Sequence, residues 1–540
     1  MERFRMSAQR ALSPTRWWTL GVVALGTFML MLDLSVVAVA LPEIHASLDS
    51  SFADLQWVFD AYALTLAIFL VAAGSLADRL GRRKVFQVGF AIFTLASLAC
   101  GLAGDATALS IFRAVQGVGA AVMFAVGPAM LSHEFHGKAR ATAFTVFGAA
   151  VGLAVATGPL IGGSLTNSLS WRWIFYINVP VGVVALGIGM FRVSESRNLR
   201  AHPTDWPGLA TFSIALAALV FATIRAPEEG WTSAFTLTLY AASAAFLVLF
   251  VVIEHRMGER AMLDLAFFRN PTFVGISLVA MIGNAGALPS VFFETSYLQN
   301  MLGMDAWQAG LRFLPLTVAM FVAGAIGGSL IGKVPFRFLL GGAPAIMATG
   351  LLFLNSTEAD SVWTVLVPAF VIAGFGMGIF NPARAALAIG VAEPAKSGVA
   401  SGINETFQQV GIAVGIAGVG ALFQNRVANS FADSEVARQL GADRAAEAAH
   451  AISSGSLETV AQGSGALREP VLSAGGVAYM DAFHSAMNLC AVLGFAAALI
   501  GFLMIRTKDL HYSAASTIPP DVDGRDDTDA SSGLSTTATS

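Results

Sequence analysis

Long apolar runs separated by short polar loops make up most of the chain. Fourteen of these runs approach the length of about 20 apolar residues that a helix needs to cross a bilayer. The pattern therefore predicts an all-α membrane protein with fourteen transmembrane helices. The runs are centred near residues 29, 65, 95, 120, 152, 183, 216, 243, 285, 320, 345, 375, 410 and 493.

The first run, Trp17–Leu41, follows four arginines and is too long for the core of a signal peptide. We expect it to remain in the mature protein as the first membrane helix. Of the 31 lysines and arginines, 22 fall on the N-terminal side of the predicted helices, six on the opposite side and three inside the runs. Because positive charges collect in cytoplasmic loops, both termini are predicted to be cytoplasmic.

Composition narrows the class of protein further. The chain is 56% hydrophobic and 12% charged, whereas a soluble domain is usually about a quarter charged. A net charge of −4 gives no basic excess for nucleic acid. Cys100 and Cys490 lie in apolar runs, which favours buried thiols over a disulfide or a metal site. The chain has no Gly-x-x-x-x-Gly-Lys-Ser/Thr loop, which argues against ATP as its energy source.

A weak internal repeat predicts two halves. The second run ends in Gly74-Ser-Leu-Ala-Asp78-Arg79, and the tenth ends in Gly328-Ser-Leu-Ile-Gly332-Lys333. Two six-helix bundles separated by two inserted helices give this spacing, and parallel halves are a transporter architecture. The predicted segments are a cytoplasmic N-terminus (1–16), an N-terminal six-helix bundle (17–191), two inserted helices (207–253), a C-terminal six-helix bundle (272–505) with an extracytoplasmic loop (425–480), and a disordered cytoplasmic tail (511–540).

Two glycine-rich motifs stand out. The loop after the second predicted helix combines glycines suited to a tight turn with one acid and several cations: Gly74, Asp78, Arg79, Gly81, Arg82, Arg83 and Lys84. The fifth predicted helix carries small residues whose spacing lets helices pack closely, together with a proline that allows a bend: Gly148, Gly152, Gly158, Pro159, Gly162 and Gly163.

Charged residues inside the runs are candidates for function. A carboxylate at membrane depth costs roughly 2.5–3.5 kcal/mol, so Asp33 is either functional or held in a structural hydrogen bond between helices. Arg113 precedes Gln116-Gly117-Val-Gly119 in the fourth predicted helix. Because an arginine stays charged, it cannot carry a proton itself, but it can tune a neighbouring acid.

Together with the segment Trp171-Arg172-Trp173-Ile-Phe-Tyr-Ile-Asn178-Val-Pro180-Val-Gly182, these motifs resemble the major facilitator superfamily, and within it the branch of fourteen-helix drug:proton antiporters. The resemblance covers residues 17–424 and 481–505. It implies a multidrug exporter in the bacterial inner membrane that works as a monomer by alternating access. A proton gradient supplies the energy, with no cofactor and no metal.

The resemblance also assigns roles to residues. It implies that Asp33 and Arg113 couple transport to protons, that the loop from Gly74 to Lys84 is a cytoplasmic gate, and that the fifth-helix glycines mark an antiporter.

Four acids lie at membrane depth, and the sequence leaves open which of them carries the proton: Asp33, Asp60, Glu294 and Glu405. We expect a substrate cavity, rich in Phe and Met, that also contains Asp60, Tyr62, Asn284, Glu294, Asn381 and Glu405. An acid in such a cavity would suit a lipophilic cation. For Glu294 and Glu405 a purely structural role is an equal alternative.

Other functions remain open at this point. An exporter dedicated to an endogenous metabolite, a lipid or an antibiotic would carry the same motifs. A membrane-embedded enzyme would need a polar catalytic cluster at an interface, and the pair His133 and His136 is weak evidence for a metal because no acidic third ligand accompanies it. The repeat and the gate-like loop disfavour a channel.

Overall fold

Helices account for the apolar runs. The computed structural model describes residues 15–48, 50, 52–135, 137–196, 205–258, 265–392, 397–453, 455 and 457–510. Within these ranges no strand occurs, and a single isolated bridge joins Ile331 and Val334. The predicted tail 511–540 and most of the predicted segment 1–16 lie outside the described residues.

The longer helices, each of 15 residues or more, form the frame of the molecule. In chain order they are α1 (Thr15–Leu48), α2 (Phe52–Leu80), α3 (Arg82–Gly101), α4 (Ala106–Glu134), α5 (Gly137–Ser168), α6 (Asn178–Arg192), α7 (Trp206–Glu229), α8 (Ala234–Met257), α9 (Pro271–Ser296), α10 (Leu314–Leu330), α11 (Phe336–Leu352), α12 (Leu366–Gly390), α13 (Ser397–Ala432) and α14 (Arg468–Met504). Eleven helical segments of the described chain are long and apolar enough to cross a membrane, and Trp57–Leu70 and Leu314–Leu330 are shorter apolar helices. The protein is therefore an all-helical, multi-pass membrane protein.

The first half packs around one apolar core. α4 contacts both α2 and α3, and α1 runs along α5. The buried residues of this core extend from Leu20 to Val193, and Ala385 of α12 joins them. Small residues make the contact between α1 and α5 close, since a Cβ atom on Gly158 would lie 1.8 Å from Ser35 Oγ. This contact fixes the position of α1 two residues from Asp33.

The second half is also built from helices that pack closely against each other. α9 packs against both α13 and α14, while α12 packs against both α10 and α11. Two groups of contacts join the halves: α5 meets α10 and α12, and α2 meets α13. The inserted helix α7 packs on α2 and α13, where Leu216 and Val220 cluster with Leu64 and Val410. The inserted pair α7 and α8 thus covers one junction between the halves.

The segment 425–480, predicted as a loop that could form a short helical hairpin around Glu435 to Ile452, is largely helical. α13 continues to Ala432, α14 begins at Arg468, and three short helices lie between them: Glu435–Leu440, Ala442–Ser453 and Leu457–Gly463. Hydropathy alone does not reveal these elements, because a helix outside the bilayer needs only one apolar face. In Ala442–Ser453 that face is formed by Ala445, Ala448, Ala449 and Ile452.

Candidate functional site

Asp33 of α1 and Arg113 of α4 form an ion pair buried inside the first half. The Nη1 group of Arg113 donates a hydrogen bond to Asp33 Oδ2. Both side chains are almost completely shielded from solvent. A buried pair of this kind is stable only when additional hydrogen bonds satisfy the remaining polar atoms.

Amide side chains complete the surroundings of the carboxylate. Gln116 Nε2 donates to Asp33 Oδ1 at 2.9 Å, and Asn178 Nδ2 reaches the same oxygen at 3.3 Å. Asn178 also donates to Ser97 Oγ at 3.0 Å, and Ser97 donates to the carbonyl of Phe175 at 2.9 Å. Residues of α4 and α6 therefore bind the carboxylate that α1 carries, and Ser97 of α3 supports Asn178.

The guanidinium group of Arg113 is held by its own set of contacts. Its Nε donates to the carbonyl of Val58 at 3.1 Å, and Nη1 donates to Gln116 Oε1 at 2.8 Å. The guanidinium carbon lies 4.1 Å from the centre of the Tyr62 ring, a cation–π distance. Arg113 Nη2 has no hydrogen-bond partner within the described chain. A shift of α1 or α2 against α4 would change which groups face this cation.

Local sequence explains why α4 presents these groups at this place. Asp105 begins the helix by accepting a hydrogen bond from the Ala108 amide at 2.8 Å, as a helix N-cap does. One turn beyond Arg113, a Cβ atom on Gly117 would stand 2.4 Å from the Tyr62 carbonyl oxygen. Only glycine allows α4 to approach α2 this closely, and the approach brings Tyr62 over Arg113.

The glycines of the fifth-helix motif support the helix that carries Asp33. Gly158 lies against Ser35, and a Cβ atom on Gly162 would meet the Val36 carbonyl at 3.1 Å. Gly163 is buried as well. Gly152 and Pro159 belong to α5, but their surroundings lie outside what the structure describes.

A second buried ion pair lies in the other half. Arg384 of α12 donates through Nη2 to Glu405 Oε1 of α13 at 2.9 Å, and through Nη1 to the side-chain oxygen of Asn404. Asn404 in turn donates to the carbonyl of Ile276 on α9 at 3.3 Å. Arg384 has no predicted role among the sequence motifs, although a charge inside an apolar run is a signal for one.

The predicted gate loop is hydrogen-bonded to the segment that follows α6. The carboxylate of Glu195 accepts hydrogen bonds from the backbone amides of Arg83 and Lys84, at 3.0 and 3.2 Å. Carboxylates are favourable at helix N-termini such as the start of α3. Gly81 adopts a φ of +109°, and a Cβ atom there would lie 2.7 Å from Glu195 Cδ. No local pattern indicates this role for Glu195, which lies more than 100 residues away along the chain.

Other members of the gate loop are placed individually. Arg82 Nη1 donates to the carbonyl of Ala129 at 3.2 Å, and Arg83 Nη1 donates to that of Val193 at 3.0 Å. Arg79 is exposed, and a Cβ atom on Gly74 would meet no atom within 4 Å. The side chain of Asp78 lies outside the described structure.

A cavity of about 240 Å³ lies where α5 faces α10 and α12. Asn381 lines it, together with Gly148, Thr317 and otherwise mainly apolar groups. Asn284 instead donates to the Ala280 carbonyl of its own helix at 2.8 Å. Tyr62 and Glu405 belong to the two ion-pair clusters, and Glu294 is fully buried. The side chain of Asp60 lies outside the described structure.

The cysteines and histidines form no metal site in the described ranges. No group of three or more His, Cys, Asp or Glu side chains there could hold a metal ion. Cys100 and Cys490 are both buried free thiols, and Cys100 Sγ contacts Gln116 Oε1 at 3.6 Å.

Similar proteins identify the family. A family model described as Major Facilitator Superfamily matches residues 23–416. The tetracenomycin C resistance and export protein of Streptomyces glaucescens is 34% identical over 423 residues, which cover 77% of this chain and 78% of that protein. The multidrug transporter protein MdtP of Bacillus subtilis is 30% identical over 416 residues, 76% of this chain and 75% of that protein.

Solved structures agree in fold. The proton:xylose symporter XylE covers 91% of this chain and 96% of its own, with a TM-score of 0.59 and 14% identity. The human organic anion transporter MFSD10 covers 90% of this chain and 100% of its own, with a TM-score of 0.59 and 13% identity. At these identities the likeness concerns the fold alone. From the family match and the relatives, the chain belongs to the major facilitator superfamily and is a membrane transporter of small molecules.

Proposed function

We propose that this transporter exports drugs or antibiotics from a bacterial cell in exchange for protons. The observation that carries the proposal is the Asp33–Arg113 pair, in which a buried acid meets a fixed cation at a junction of four helices. Asp33 takes up a proton when Arg113 moves away and releases it when the pair re-forms. Arg113 remains charged throughout and acts by its position.

The printed names of similar proteins support export as the direction of transport. They include a tetracenomycin C resistance and export protein and the multidrug resistance protein Stp of Mycobacterium tuberculosis, which is 34% identical over 410 residues. One charge crossing 100 mV provides about 2.3 kcal/mol, which corresponds to roughly a fifty-fold concentration ratio. A proton gradient thus suffices as the energy source without a cofactor.

The proposed architecture is that of the fourteen-helix drug:proton antiporter branch. Helices α1–α6 and α9–α14 form two six-helix bundles, α7 and α8 are the inserted pair, and each of the fourteen helices crosses the inner membrane. Both termini are cytoplasmic, in keeping with the asymmetry of the loop charges. The protein acts as a monomer, with its substrate path between the halves.

The proposed substrates are lipophilic small molecules. The cavity beside Asn381 offers one amide and the Thr317 hydroxyl within a largely apolar wall. Glu294 and Glu405 lie outside it in this conformation, so a preference for cations depends on the halves rearranging during transport. The names of several relatives, for tetracenomycin C, methylenomycin A and puromycin, favour a second candidate, an exporter dedicated to one antibiotic.

The test uses purified protein in liposomes with an imposed proton gradient. Two probes, ethidium and tetracenomycin C, are followed while the gradient is applied and then collapsed. We expect uphill movement of at least one probe, lost in Asp33→Asn and Arg113→Ala and retained in Asp433→Asn, which changes an exposed carboxylate. Movement of tetracenomycin C alone would favour the dedicated exporter, and normal uphill transport by Asp33→Asn would contradict proton coupling through this pair.

A further inference from the structure

We infer that Glu294 is a second proton-binding site, in the C-terminal half, and that it carries a proton in the conformation described here. The inference rests on the proton exchange proposed above and adds a separate acid to it. Glu294 lies on α9, nearly one turn before the helix passes into a π-helical turn, Tyr297–Met301. π-Helical turns occur frequently at functional sites.

Among the three membrane-depth acids whose side chains the structure describes, Asp33, Glu294 and Glu405, only Glu294 has no ion-pair partner in the described chain. Asp33 faces Arg113, and Glu405 faces Arg384. Glu294 is 0% exposed, and neither of its carboxylate oxygens has a hydrogen-bond partner in the described structure. Leaving a buried charge uncompensated costs several kcal/mol. A bound proton removes that cost, which is the basis for assigning one here.

The titratable groups on the neighbouring elements do not supply a charge partner. Tyr297 follows on the π-helical turn and donates to the carbonyl of Glu358 at 2.7 Å. Tyr479 and Cys490 of α14 are buried and, like Tyr297, uncharged at neutral pH. Between Tyr479 and Cys490 on α14, Asp481 is exposed, and His484 Nε2 lies 3.0 Å from the Thr357 carbonyl oxygen.

α9 packs closely against α13 and α14 in the two turns that precede Glu294. A Cβ atom on Gly286 would stand 2.7 Å from the Cys490 carbonyl of α14. On α13, a Cβ atom on Gly415 would stand 2.2 Å from the Ala285 carbonyl. Near Glu294 itself, the Phe293 ring lies 4.7 Å from that of Phe423. Because both carboxylate oxygens of Glu294 are buried, release of its proton to water requires a rearrangement of α9 and the helices packed on it.

A hydrogen-bonded chain leads from the next turn toward an outer cavity. The hydroxyls of Ser296 and Tyr479 lie 2.8 Å apart, and Asn300 Nδ2 donates to Ser296 Oγ at 2.8 Å. Asn300 lines a cavity of about 390 Å³ that also contains Glu458. Asn300 lies within the π-helical turn that follows Glu294. These polar groups lie one turn beyond Glu294, between it and the cavity, which is the side from which a rearrangement of α9 would bring the acid into contact with water.

The first experiment is infrared spectroscopy of purified protein, which detects a protonated carboxyl group by its carbonyl stretch and by the shift of that band in deuterium oxide. We expect the wild type to have such a band and Glu294→Gln to lack it. Glu447→Gln, at an exposed position, should retain it. A band unchanged in Glu294→Gln would overturn the inference. If glutamine impairs folding, Glu294→Asp should move the band rather than remove it.

The second experiment counts protons. Ethidium, or tetracenomycin C if only that probe is transported, is added to solubilised protein in weak buffer, and the protons released per bound probe are measured with an indicator dye. We expect Glu294→Gln to release one proton fewer than the wild type. Equal release by the two would overturn the role of Glu294 in coupling. No release by the wild type would instead contradict the proposed proton exchange, which separates the two failures.

Discussion

Gln116 lies between Arg113 and Asp33 and hydrogen-bonds to both. Its Oε1 accepts from Arg113 at 2.8 Å, and its Nε2 donates to Asp33 at 2.9 Å. Because the two ends of the amide serve opposite partners, its orientation is fixed. The ion pair is therefore one part of a three-residue arrangement in which the amide stabilises both charges.

Gln116→Leu should weaken this arrangement. Leucine removes one hydrogen bond from Arg113 and one from Asp33, and a hydrogen bond to a charged group contributes about 1.5–3 kcal/mol. We expect a lower thermal unfolding temperature in detergent and a reduced rate of proton-driven export. Gln462→Leu, at an exposed position, serves as the control. Equal behaviour of the two variants would mean that the bridge contributes nothing.

Gly81→Ala should destabilise the protein, whereas Gly74→Ala should not. At Gly81 the new methyl group meets the carboxylate of Glu195, and φ is +109°. A strained backbone of this kind costs about 1–3 kcal/mol. At Gly74, inside α2, the methyl group meets no atom within 4 Å, and alanine favours a helix by about 1 kcal/mol.

Unfolding temperatures of the two alanine variants, measured side by side, test this expectation. A loss of stability at Gly74 equal to that at Gly81 would contradict the role assigned to Glu195 and the turn.

Replacing either Glu405 or Arg384 alone should reduce the stability of the protein more than replacing both together. Glu405→Gln leaves the guanidinium group of Arg384 buried without its counter-ion. Arg384→Gln leaves the Glu405 carboxylate buried without its counter-ion. Breaking a buried pair from one side costs about 3–5 kcal/mol, whereas removing both charges is far less costly. We expect the double variant to be more stable than either single one. Additive losses in a double-mutant cycle would indicate that the two charges do not depend on each other.

Asn381→Leu should change which compounds are exported. Asn381 is a polar group on the wall of the cavity, so its loss alters the hydrogen bonds available to a substrate. The matched variant Asn284→Leu removes an amide that serves only its own helix among the contacts described.

We expect the ratio of ethidium to tetracenomycin C transport to change at position 381 and to stay constant at position 284. The same shift in both variants would argue against the cavity as the substrate site.

Much of the fold follows from the sequence, because a helix in lipid must be apolar along a whole span. The superfamily, the helical architecture and the multi-pass membrane arrangement predicted from the runs and motifs are confirmed by the structure and the family match. The positions of Asp33 and Arg113 attract notice for the same reason, since charges are rare at that depth. The roles assigned to them stay predictions.

The sequence alone does not predict which residues that are distant along the chain contact each other in the fold. Gln116 and Asn178 stand within recognised motifs, but only tertiary packing brings them to one carboxylate. Glu195 meets the start of α3 from a loop more than 100 residues away, so no local pattern reveals it. Arg384 is visible as a charge in an apolar run, yet its partners come from α13. The residues expected in one cavity lie at several separate places, because neighbouring positions on a helix face different neighbours.

The length of α13 and α14 has a practical consequence. These helices have 36 and 37 residues and span about 54–56 Å, whereas the hydrocarbon layer is about 30 Å thick. Their ends therefore stand well clear of the lipid, and the three short helices between them pack there with an apolar centre that includes Val436, Ala448 and Ile452. An ordered projection of this size offers an epitope to which an antibody fragment can bind. In electron microscopy it also gives particle images a feature for alignment, which a transporter enclosed in a detergent micelle otherwise lacks.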